Sequence, residues 1–223
     1  MSLLEHIIAA DQQLFFFLNG LNSPFWDNFF YLFSHKLTFI LFYAALIYFV
    51  IKTSKKQAVW IILSIIIVVT LSDQLASGVL KPLVQRFRPS RDPSLEGLVH
   101  LVFGKKGGLY GFASSHAANT FAVATFLALV YRNRFVSFAV LSWAVVTSYS
   151  RIYLGVHYPL DVICGGAIGA FFASMTYLTS IKTNMISKQQ AVAPCNAYIV
   201  GGVFLFTVAA FLIFGSQLVL LVK

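Results

Sequence analysis

Apolar positions along this chain collect into long runs broken by short polar gaps, rather than into the one-sided stripes of helices that float on a soluble core. A helix needs roughly 20 mostly apolar residues to cross about 30 Å of hydrocarbon. Six runs approach or meet that length, at about 37–51, 59–80, 117–131, 135–149, 159–181 and 197–222. The first borrows a turn from the preceding FFYLFS, and the third and fourth must extend into their flanks. Before them, LLEHIIAADQQLFFFLNG mixes polar and apolar positions at helical spacing, the pattern of a helix lying in the membrane interface. Ser23 followed by Pro24 is a helix start, with a capping hydroxyl and proline at the first helical position. Leu95, Leu98, Val99 and Val102 recur at i, i+3, i+4 and i+7, which predicts an amphipathic helix after Arg91. The expectation is an all-α polytopic membrane protein: six transmembrane helices in a bundle, an N-terminal interfacial helix, and one domain over 1–223.

Composition sharpens that picture. The AVILMFWYC set makes up 59% of 223 residues and charged residues only 10%, whereas soluble domains average about 45–50% and about 25%. A water-soluble enzyme, a disordered tail and a disulfide-stapled secreted module are poor fits. Sixteen Lys/Arg against seven Asp/Glu give a net charge of +9. The bases sit in short gaps between apolar runs, not on one exposed face, so membrane-side loops or an anionic headgroup account for them better than nucleic acid does. Cys164 and Cys195 fall near opposite membrane faces and imply neither a disulfide nor a thiolate metal site. The first residues lack a positive n-region and carry Glu5 and Asp11, so no cleaved signal peptide is expected.

Parity assigns the sides. With six spans, the loops after the first, third and fifth share one face, and they carry Lys52, Lys55, Lys56, Arg132, Arg134, Lys182 and Lys188 without an acid. The positive-inside rule makes that face cytoplasmic. The opposite face receives the connections after the second and fourth spans, where the candidate chemistry lies. Lys81, Arg86, Arg88 and Arg91 crowd VLKPLVQRFRPSRDP. Such residues either snorkel to the interface or form a multi-oxygen anion site, in which guanidinium forks match phosphate oxygens. The same connection ends in GFASSHAANTFAV. Ser114 or Ser115 there can cap the third span, leaving backbone N–H groups for an anion beside His116. After the fourth span, SRIYLGVHYPLDV sets His157 and Asp161 four residues apart, a spacing that can bring a carboxylate to an imidazole nitrogen. Cations, two histidines and one carboxylate on one membrane face are parts for phosphoryl transfer. No carboxylate cluster, HExxH or CxxC accompanies them, so a route without metal or cofactor is expected.

These residues resemble the three-part signature of the type 2 phosphatidic acid phosphatase superfamily. Lys81, Arg88 and Pro89 match K-x6-RP, and Ser150, Arg151, His157 and Asp161 match SR-x5-H-x3-D in full. The PSGH motif is half kept: Ser114 and His116 match, while Ala113 and Ser115 depart from it. The resemblance implies that His157 is a nucleophile forming a phosphohistidine, with Asp161 orienting it. It implies that His116 protonates the leaving group, and that Lys81, Arg88, Ser114, Ser115 and Arg151 bind phosphate. The implied substrate is a lipid phosphate drawn from the surrounding membrane lipids: phosphatidic acid, phosphatidylglycerophosphate, undecaprenyl diphosphate or a lipid A phosphate. With the charge bias, this sets the site on the periplasmic face of a bacterial inner membrane. A transporter of anionic lipid or a lipid phosphotransferase would use the same cations, and His157 separates the first of these from an enzyme. Three further features stand apart from the motifs. Asp73 is an acid within a span, with Thr70 and Ser77 as partners on its own helix; Lys105-Lys106-Gly107-Gly108 is a basic loop suited to a large headgroup; Gly165 and Gly169 form a small-residue face for helix packing.

Overall fold

The computed structural model describes residues 2–188, 190 and 192–222, and among these helices dominate. Helix α1 (Leu3–Gly20) begins on a capping box, in which Ser2 and Glu5 each bind the other's backbone N–H. Helix α2 (Pro24–Ser34) starts on the Ser23 hydroxyl with Pro24 at its first position, as the sequence predicts. The FFYLFS stretch does not lengthen the first span; it belongs to α2. His35 is extended (φ −88°, ψ 127°), and the Thr38 hydroxyl donates to the freed carbonyls of Leu32 and His35 at 2.6 and 2.7 Å. The chain therefore stops one helix and starts another there.

A 3-10 turn (Lys36–Phe39) leads into α3 (Ile40–Ser54). Lys55 (φ 48°) breaks the backbone, and after a short 3-10 turn α4 (Ala58–Asp73) packs back on α3. Helix α4 runs through a π-helical stretch (Gln74–Leu80) into α5 (Lys81–Val84), which Gln85 ends in a left-handed conformation (φ 51°). Then follow α6 (Ser115–Tyr131), α7 (Arg134–Tyr153), α8 (Pro159–Lys182) and α9 (Pro194–Val222). Four helical stretches are long and apolar enough to cross a membrane: Lys36–Val84, Arg134–Tyr153, Pro159–Lys182 and Pro194–Val222, with the shorter apolar Ser115–Tyr131 beside them. Ile47, Ile66, Phe138, Ile163, Phe171, Phe206 and Ile213 stay exposed on their outer faces. A helix satisfies its own backbone, so such faces suit hydrocarbon and not water. The chain is an integral membrane protein.

Helix α6 packs against α4, α7 and α8. Its contact with α8 depends on missing side chains. A Cβ on Gly165 would lie 2.3 Å from the Ser114 carbonyl oxygen, and one on Gly169 would lie 2.1 Å from that of Ala118. The small-residue face thus brings two backbones together and holds the start of α6 against the start of α8.

The residues after Arg91 do not form the expected amphipathic helix. They make two short 3-10 turns, Pro93–Leu95 and Val102–Gly104, in an otherwise irregular loop. Gly97 sits at φ +80°, and the peptide of His100 is held by Asn19 of α1 through both its N–H (2.9 Å) and its carbonyl (3.1 Å). Long-range hydrogen bonds override a local 3.6-residue period here. The same Asn19 amide donates to the carbonyls of Ile152 and Tyr153, so α1 is tied to the end of α7 as well.

Candidate active site

Three backbone devices converge at one end of the bundle. At the start of α8, Pro159 takes the first helical position and Asp161 turns back, so that its Oδ2 accepts the Tyr158 N–H at 3.0 Å. The same oxygen lies 3.3 Å from His157 Nδ1. In the loop after α5, Phe87 bridges Tyr110, with the Arg88 N–H donating to Leu109 and the Gly111 N–H to Arg86. At the start of α6, Ser114 caps the helix and sends its own N–H to the Asp161 carbonyl at 2.9 Å.

Arg88 is aimed by three bonds. Its Nε donates to the Tyr110 carbonyl (3.0 Å), and its Nη1 to the Val156 carbonyl (3.1 Å) and to His157 Nε2 (2.8 Å). A guanidinium has no acceptor, so Nε2 must be the acceptor and Nδ1 carries the ring proton toward Asp161. His157 is buried, 1% exposed, and its pKa is held well below the usual imidazole value. Burial is the main cause, followed by the charges of Arg88, Arg151 and Lys81. The imidazole is thus neutral, with its outer lone pair beside three cations.

All eight residues singled out in the sequence meet here. Lys81 donates to the hydroxyls of Ser77 (2.9 Å) and Ser115 (3.3 Å), so the serine that departs from the family pattern has acquired a cation partner. Arg151 is 6% exposed, donates to the Ser34 hydroxyl, and offers its carbonyl to the N–H groups of Val156 and His157. His116, half-buried in the first turn of α6, lies within electrostatic reach of Arg151, His157 and Arg88. Among the described residues no three His, Cys, Asp or Glu side chains gather as a metal-binding group, and both cysteines are free thiols.

Three residues, Arg86, Asp11 and Gly111, go beyond the sequence reading. Arg86 donates to the other oxygen of Asp161 (3.1 Å) and to Asp11 of α1 (2.6 Å), and it stacks on the Tyr158 ring at 3.9 Å. Asp11 in turn accepts the Leu160 N–H at 2.8 Å. Arg86 was visible as one of a basic cluster but not distinguishable within it. The available signal for Asp11 was its face: Asp11, Phe15 and Asn19 follow at i, i+4 and i+8, and they are the buried positions of α1. Gly111 matters for its missing side chain, since a Cβ there would lie 2.9 Å from Asp161 Oδ2 and 3.3 Å from Arg88 Cγ.

Other expectations shift. Asp73 accepts from Asn119 of α6 at 3.0 Å, across helices, while Ser77 is engaged by Lys81. In the basic loop, Lys105 lies 4.9 Å over the Tyr31 ring, and the carbonyls of Lys106 and Gly107 accept from Ser90 and Arg91.

A buried cation cluster around a carboxylate-backed imidazole, set at one end of an apolar helical bundle, defines a membrane-embedded phosphatase acting on lipid phosphates. The PAP2 superfamily model matches residues 57–185, and the chain belongs to that superfamily. It is 39% identical over 182 residues to the lipid A 4'-phosphatase of Bacteroides thetaiotaomicron, covering 81% of each chain. It is 38% identical to the lipid A 4'-phosphatase of Porphyromonas gingivalis, covering 78% of this chain and 74% of that one. The crystal structure of Aquifex aeolicus LpxE superimposes with a TM-score of 0.59 at 27% identity, over 74% of this chain and 93% of the other.

Proposed function

We propose that the protein removes a phosphate monoester from lipid A, at the 4' position named for its relatives, in two displacements at phosphorus. Its 223 residues act as one domain that crosses the membrane six times, with α3, α4, α6, α7, α8 and α9 as the spans and α1 along the interface. The site faces the periplasm of a bacterial inner membrane; the acid-free basic loops on the other face support that orientation. His157 Nε2 attacks phosphorus while the bond from phosphorus to the ester oxygen breaks, and His116 gives that oxygen a proton. Water, relieved of a proton by His116, then cleaves the phosphohistidine and releases inorganic phosphate, so that ester and water become alcohol and phosphate. Lys81, Arg88, Ser114, Ser115 and Arg151 hold the non-bridging oxygens, and Asp161 keeps the His157 proton on Nδ1.

The observation that carries this reading is the orientation of the His157 ring: Nδ1 at 3.3 Å from Asp161 and Nε2 at 2.8 Å from Arg88. The acceptor nitrogen points at the group best suited to hold a phosphate oxygen. The test is phosphate release from lipid A by detergent-solubilised protein, beside a His157→Gln variant and a sample in EDTA. Release by the native protein, retained in chelator and abolished in the variant, is expected. Undiminished release by His157→Gln would remove the nucleophile from the scheme.

A further inference from the structure

Eight buried side-chain polar atoms have no hydrogen-bond partner among the described residues, and four of them belong to residues that line one cavity: His35 Nδ1, Asn119 Oδ1, Trp143 Nε1 and Thr147 Oγ1. The cavity is about 300 Å³ and is also lined by His116 and Ser115, so it opens beside the group that protonates the leaving oxygen. Trp143 and Thr147 are 4% and 5% exposed. Arg151 Nε, also unpartnered, lies on the same guanidinium that donates to Ser34 in the cavity wall. Buried polar groups are almost always satisfied, so a cluster of exceptions in one place calls for a cause.

The chemistry of the four atoms limits what completes them. The indole N–H only donates. Asn119 turns its amide N–H to the Asp73 carboxylate, which leaves Oδ1 as an unpartnered acceptor. The Thr147 hydroxyl does both. His35 is kept neutral by burial and by the Lys105 charge, which leaves its ring able to donate or accept. A hydrocarbon chain would satisfy none of these groups. A second phosphate would suit the indole and Lys36, which also lines the cavity, but not Asn119 Oδ1 or the lining carboxylate of Asp73. A ring bearing hydroxyl and amide groups offers both donors and acceptors, and Phe33, Phe39 and Tyr43 supply walls for its C–H faces.

We infer that this cavity is the leaving-group subsite, which binds the sugar ring of a phosphorylated saccharolipid through Trp143, Thr147, Asn119 and His35. The inference rests on the lipid A reading above and assigns residues to substrate choice that the phosphate site does not contain. Glycerol phosphates enter the same phosphate site but leave these four atoms unpaired. The subsite therefore favours sugar phosphates by rejecting what cannot complete it.

The experiment uses the full-length protein with Trp143→Phe, Thr147→Val and the double variant. Each substitution removes a polar atom that has no partner within the protein. The first readout is the ratio of kcat/KM on lipid A to that on phosphatidic acid. It is expected to fall about tenfold for each lost hydrogen bond, mainly through KM. The second readout is independent of turnover: dephosphorylated lipid A raises the melting temperature of the native protein, and the double variant loses that shift. An equal loss on both substrates, or an unchanged ratio with the shift intact, overturns the subsite. If the native protein binds the dephosphorylated lipid but releases no phosphate, the catalytic reading fails while the subsite stands.

Discussion

The two histidine halves of the site are built in opposite ways. Around His157 most polar neighbours are already engaged: Asp161 serves the ring, the Tyr158 N–H and Arg86, Arg86 is shared with Asp11, and Arg88 has three acceptors. Around His116 the wall carries unpartnered donors and acceptors. The first half is largely assembled before substrate arrives, and the second is completed by it. The contrast fits a division of labour. Preorganised dipoles and charges act where charge develops, whereas groups left open discriminate among ligands. Each of the following experiments perturbs one of the two halves.

The largest effect belongs to His157→Gln. Glutamine keeps a similar size but cannot form the phosphoenzyme, and kcat is expected to fall by at least about 10⁴-fold, the scale for removing a nucleophile. His116→Ala should cost about 10²–10⁴-fold on an alkyl phosphate, the range for a general acid. An aryl phosphate, whose leaving oxygen needs no proton, should recover most of that loss. If the two substrates lose equally, His116 binds and does not protonate.

Arg86→Ala tests the locked half from its outer layer. It leaves Asp11 and Asp161 buried without their cation, and breaking such a pair costs about 3–5 kcal/mol. Thermal melting should fall accordingly, and kcat should drop about 10–100-fold, as for loss of an outer-shell partner. Arg86→Lys should restore stability more than rate, because one ammonium cannot reproduce the two-pronged geometry.

A smaller effect is expected in the pH profile. The His157 ring must be neutral to attack, and burial with Arg88, Arg151 and Lys81 holds its pKa below 6.5. Activity should therefore persist as pH falls through 6.5, with the acid limb lying lower. Arg88→Gln removes one of the lowering charges and should move that limb upward, measured as kcat/KM on the residual activity. Stability follows the same sign: the unfolded ring takes up a proton near 6.5 before the folded one does, so His157 costs stability progressively below that pH. A limb at or above 6.5 in the native protein would mean that the cations are not acting on this ring.

What could be read from the sequence was what depends on short spacings. His157 and Asp161 are one helical turn apart across a helix start, and Ser114 caps the helix that carries His116, so local rules place them. The long apolar helices were legible because hydrocarbon demands continuous apolar helix. Asp11 was not, because its partners Arg86 and Leu160 lie 75 and 149 residues away, and only packing of α1 on α8 brings them together. The loop after Arg91 read as a helix because four apolar residues share its period, yet Asn19 claims the backbone that such a helix would need. Trp143 looked like any apolar residue in a span, and its orphaned N–H is a property of the assembled cavity.

The covalent step through His157 is best tested by stereochemistry at phosphorus, using a phosphorothioate substrate made chiral with two oxygen isotopes and hydrolysed in water that carries the third. Each in-line displacement inverts the centre, so two steps through an imidazole return the original configuration. Retention in the released thiophosphate is the expected result. Inversion would mean that water attacks the lipid phosphate directly, and that His157 is not the nucleophile.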